Sequence, residues 1–169
     1  MTIADRVVQL HPVVLMISFF ATIVLGSVAL PLSEVAPVLP LVRGIFLGGM
    51  MGLMSGWLWA VYRISKRAVG RGRPGVWDWS FAASPLIALI AGLAGWSTHN
   101  SPAAFAIFAG LFVNITLAAK GLENADDSRG KASVSQILTT AIVMYFGPIG
   151  GFWILDRKIR RVASTTATA

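Results

Sequence analysis

Arg43–Ala60 reads RGIFLGGMMGLMSGWLWA. Gly44, Gly48, Gly52 and Gly56 recur at every fourth position, and Ala60 continues the register. Residues four apart share one face of an α-helix, so the spacing predicts a helix with a stripe bare of side chains. In lipid such a stripe lets a second helix approach closely, and that packing replaces the hydrophobic drive supplied by water elsewhere. No charge interrupts residues 44–62, so the segment has the length and character of a membrane span. Two kinds of partner fit the stripe. One is another chain, either a second copy or a different membrane protein. The other is this chain's own small residues, Ala88, Gly92 and Gly95 or Ala106 and Gly110.

The rest of the chain has the same character. Of its 169 residues 56% are hydrophobic and 12% charged, with a mean hydropathy of +0.73. A soluble domain carries roughly twice that charged fraction. Charge-free runs cover 12–32, 44–62, 81–98, 103–119 and 135–155. These predict an all-α, polytopic membrane helix bundle of about five hydrophobic segments. It forms a single domain over 1–162, with a short disordered tail at 163–169.

Cations flank the runs. Arg63, Lys66, Arg67, Arg71 and Arg73 follow the second, and Lys120, Arg129 and Lys131 follow the fourth. With Arg6 they lie on one side, which the positive-inside rule assigns to the cytoplasm together with the N-terminus. The expected location is a bacterial cytoplasmic membrane. The first run imitates a signal peptide, but its apolar character continues through Leu32, which favours an uncleaved helix. The net charge of +7 is explained by this topology, so no nucleic-acid partner is expected. The connector cations Lys66, Arg67, Arg71 and Arg73 are candidate contacts for anionic lipid headgroups. Tryptophans at the ends of the runs (Trp57, Trp59, Trp77, Trp79, Trp96, Trp153), together with Tyr62, read as interfacial anchors.

The tail resists this scheme. Five crossings would leave Arg157, Lys158, Arg160 and Arg161 outside. Proline and glycine at Gly147-Pro148-Ile149-Gly150-Gly151 break the fifth run. A kinked crossing is the favoured expectation there, ahead of a re-entrant segment returning to its starting side. A re-entrant backbone must be buried or line a wet cavity. Asn114, Tyr145, Gly147, Pro148, Gly150 and Gly151 are therefore the candidate path or hinge residues of a small channel or transporter.

Catalysis finds little footing. The chain has no cysteine, hence no disulfide and no thiolate chemistry. Gly70-x-Gly72-x-x-Gly75 matches a dinucleotide fingerprint by letters but lacks its strand and helix context. Lys66 with Arg73-Pro74 is similar to the first motif of lipid phosphatases of the phosphatidic acid phosphatase type. That family's other motifs require two histidines in one site. Here His11 and His99 fall at opposite faces of the membrane, which also separates them as haem ligands. Glu123, Asp126 and Asp127 read as a solvated turn with Arg129 and Lys131, short of a metal site. No catalytic, cofactor or metal site is expected. The leading expectation is a non-catalytic membrane protein acting through helix packing, as a homo-oligomer or an accessory subunit.

Overall fold

The computed structural model describes residues 2–33, 39–70, 75–95, 101–126, 132–147 and 151–165. The described residues form an all-helical bundle without strands. It comprises α1 (Ile3–Gln9), α2 (Pro12–Ser33), α3 (Leu39–Ala68), α4 (Ser80–Leu93), α5 (Pro102–Asp126), α6 (Val134–Tyr145) and α7 (Gly151–Thr165). A short 3-10 turn, Val76–Asp78, leads into α4. Residues 40–68, 76–93 and 102–126 are long and apolar enough to cross a membrane, and α1 with α2 makes a fourth candidate span bent by 93°.

The glycine-rich helix α3 is the centre, packing against α1, α2, α4, α5 and α7. Its largest interface is with α4, where the stripe lets the backbones touch. A Cβ placed on Gly92 would lie 2.5 Å from Gly44 Cα and 2.6 Å from Gly44 N. α5 joins the pair by the same device, with the Ser84 hydroxyl seated over Gly110. Asn114, fully buried on α5, accepts a 2.9 Å hydrogen bond from the Ser80 hydroxyl and donates to the Ser80 carbonyl at 3.3 Å. Gly70 (φ +71°) ends α3 and Gly95 (φ +67°) follows α4, each in the left-handed conformation that favours glycine. The first glycine of the apparent dinucleotide fingerprint is thus a helix terminator.

α1 is tied to the basic end of α3. Thr2 precedes it, and Asp5 accepts the Thr2 backbone N–H at 2.6 Å, the reciprocal bond of a capping box. Asp5 also receives Arg67 Nη2 at 2.8 Å, while Ala4 and Val8 enter the hydrophobic core. Burial alone would raise the Asp5 carboxyl, but hydrogen bonds from Arg67 and Thr2, with the Arg67 charge, hold it down at about 2. Because the folded value lies below the unfolded one, the stabilisation is complete above pH ~4 and is lost as pH falls towards 2. Hydrogen exchange should show α1 opening over that window. Asp5→Asn should open it at neutral pH and cost on the order of 1–2 kcal/mol.

The fifth apolar run corrects the favoured expectation of a kinked crossing. It divides into α6 and α7, and α7 runs back alongside α6. α6 has 12 residues and rises only about 18 Å, well short of a hydrocarbon core of ~30 Å. Gly151 N–H bonds the Phe146 carbonyl at 3.2 Å, and a Cβ on Gly151 would clash with the Val143 carbonyl oxygen. α7 begins beside Trp57, whose ring packs edge-on against Phe152 at 4.7 Å. It then returns to the C-terminal end of α5, where Lys158 binds Glu123 and Arg161 binds Asp126. Its cations therefore gather at the same end of the bundle as Arg67. α7 continues to Thr165, past the boundary expected at residue 162. Pro148 and Gly150 lie outside the described residues.

Candidate helix-docking groove

The two halves of the glycine stripe have different surroundings. A Cβ on Gly44 would meet the Leu93 side chain at 2.7 Å, and one on Gly48 would meet Leu89 Cβ at 2.9 Å. At Gly52 the nearest described atom is Pro85 Cβ, 3.9 Å away, and at Gly56 no atom of the described residues lies within 4 Å. α4 lies tight against the first half and stands off the second. A groove of about 460 Å³ opens over Gly52 and Gly56, walled by Trp59, Trp79 and Phe81. Ala60, the last small residue in register, is completely buried.

The groove's basic end is closed by an ion pair. Asp78 accepts the Gly75 backbone N–H at 2.7 Å, which orients it in the 3-10 turn. It then faces Arg63 Nη1 at 3.4 Å and Lys66 Nζ at 3.5 Å. Lys66 Nζ also lies 5.2 Å from the centre of the Tyr62 ring. The groove is otherwise apolar except for one group. Ser55 is 1% exposed, and its hydroxyl has no hydrogen-bond partner. A buried hydroxyl without a partner costs roughly 1–3 kcal/mol.

The remaining candidates are not brought to this groove. Lys66 and Arg67 are held by Asp78 and Asp5, and Arg71 and Arg73 lie outside the described residues. Asn114 faces Ser80, whereas Tyr145 lines a separate apolar groove with Phe105, Phe108 and Phe112. Gly147 lies against Phe152 and Met54, so the described path candidates Asn114, Tyr145 and Gly147 do not converge on one cavity. The anchor reading fails for Trp57 (3% exposed) and Tyr62 (8%), which belong to the core against Phe152 and Phe81. Trp77, Trp79 and Trp153 are exposed, as anchors are. Trp96 and His99 lie outside the described residues.

Glu123 overturns the expectation of a solvated turn. It is 4% exposed, and its Oε1 accepts from Lys158 Nζ at 2.6 Å and from the Thr140 hydroxyl. This network joins α5, α6 and α7. Sequence spacing could not show it, because Lys158 lies 35 residues downstream on a helix whose direction the break reverses. Among the described residues no group of three or more His, Cys, Asp or Glu is placed to hold a metal ion. Comparison with protein-family models, known proteins and solved structures finds no match to this chain.

Proposed function

We propose that this protein is a non-catalytic, multi-pass membrane protein acting through helix packing, as a homo-oligomer or as an accessory subunit of a membrane complex. The half-used glycine stripe carries this reading. Gly44 and Gly48 already hold α4, while Gly52 and Gly56 present the same kind of surface to an open groove. A spanning helix of another chain fits there, since small residues are what close helix approach in lipid requires. The setting is a bacterial cytoplasmic membrane with the N-terminus inside. The common end at which α1, Arg63, Arg67 and the α7 cations meet supports that orientation. A small channel through the Gly147–Gly151 break draws less support, because Gly147 and Gly151 pack against neighbouring groups of their own chain.

The test is the mass of the complex released gently from its native membrane. The wild-type chain should appear with further copies or with another membrane protein. Gly56→Leu places its side chain in the open groove, where a Cβ meets no described atom within 4 Å, and should return the chain to its monomeric mass with little change in thermal unfolding. A complex that survives Gly56→Leu intact, or a wild-type chain released as a monomer, would overturn the proposal.

A further inference from the structure

α7 carries a second surface. Phe152, Leu155, Ile159 and Val162 recur at helical spacing and are buried against the bundle. The opposite face is exposed and changes character along its length. Trp153 and Ile154 occupy its first turn, while Arg157, Arg160 and Arg161 occupy the second and third. Trp153 lies near the start of α2, with its ring edge-on to His11 at 5.9 Å and its indole N–H on Met16 Sδ at 2.9 Å. Arg160 is bound by Asp156 within the helix and Arg161 by Asp126, but Arg157 has no ion-pair partner among the described residues.

An exposed helix face that is apolar at one end and cationic at the other matches the boundary of a bilayer. There, hydrocarbon gives way to phosphate over a few ångströms, and basic amphipathic helices settle at that depth. Resting on the membrane placement proposed above, we infer that the outer face of α7 binds the anionic phosphodiester headgroups of the surrounding membrane. Trp153 and Ile154 seat in the acyl region, and Arg157 is the principal contact. Of the connector cations, Lys66 and Arg67 are engaged by Asp78 and Asp5, whereas Arg71 and Arg73 lie outside the described residues.

The experiment is native mass spectrometry of the full chain released from nanodiscs of equal phosphatidylcholine and phosphatidylglycerol. The wild-type protein should retain phosphatidylglycerol preferentially. Arg157→Gln should lower the ratio of retained phosphatidylglycerol to phosphatidylcholine about fivefold, the effect of one cation near an anionic surface. Arg157→Lys should preserve the ratio, as should Lys120→Gln, which removes an exposed cation at the end of α5. An unchanged ratio in Arg157→Gln would overturn the assignment. So would an equal fall in Lys120→Gln, which would trace the preference to net charge alone. Oligomeric mass in the same spectra reports on the α3 groove separately, so failure of either proposal is recognised independently.

Discussion

Gly92→Ala should unfold the α3–α4 pair more readily than any other glycine-to-alanine change along this seam. The added Cβ would meet Gly44 Cα, Gly44 N and the Arg43 carbonyl carbon at 2.5–2.8 Å. All three are backbone atoms, so no side chain can rotate away and the helices must separate. Overpacking of this kind costs about 1–3 kcal/mol. Gly44→Ala should cost less, because the Leu93 side-chain atoms it meets first can partly yield, and Gly48→Ala should fall between, because it meets the fixed Leu89 Cβ but at 2.9 Å. Gly56→Ala should leave stability unchanged or slightly raised, since the site is open and alanine favours the helix. Unfolding of the reconstituted protein by dodecyl sulfate, followed through the buried Trp57, gives the ranking. Equal losses at Gly92 and Gly56 would contradict the asymmetric use of the stripe.

Lys158→Met should have a comparable or larger effect, confined to the last two helices. It leaves Glu123 buried with the Thr140 hydroxyl as its one remaining partner among the described residues, and stripping a buried carboxylate of its cation costs about 3–5 kcal/mol. Glu123→Leu should cost less, because the partly exposed Lys158 keeps Asp126 at 3.5 Å and reaches solvent. The double change Glu123→Leu/Lys158→Met removes both charges and should restore much of the loss. Hydrogen exchange in α7 is the measurement. Faster exchange in Lys158→Met that the double variant does not correct would show that packing of the lysine stem, rather than charge pairing, holds the hairpin.

The two halves of the glycine stripe show where sequence reading reaches its limit. Period-four spacing identifies a helix face built for close contact. It carries no information about which positions along that face another helix reaches. That depended on how closely α4 packs along α3, tight at Gly44 and Gly48 and open at Gly56. The tryptophans teach the same lesson. Trp57 and Trp59 both stand near the end of an apolar run, but only tertiary packing placed Phe152 against Trp57 and left Trp59 lining the groove. One local signal was available for α6: Ser133 and Gln136 form a reciprocal capping box, a pattern visible as Ser-x-x-Gln before the apolar run.

The helices, and the fact that several are long and apolar enough to cross a membrane, follow from the sequence alone. Long charge-free runs require helices that satisfy their own backbone groups in lipid, and the cation clusters between them mark the ends of those helices. Hydrophobicity and helical period are local quantities, so they survive without knowledge of the fold. Direction, pairing and burial of charge are relations between distant segments. The placement of α7 alongside α6, the burial of Glu123 under Lys158 and the open half of the α3 stripe were therefore decided only when the helices packed. Each depends on which surface lay opposite, and no span of neighbouring residues records that.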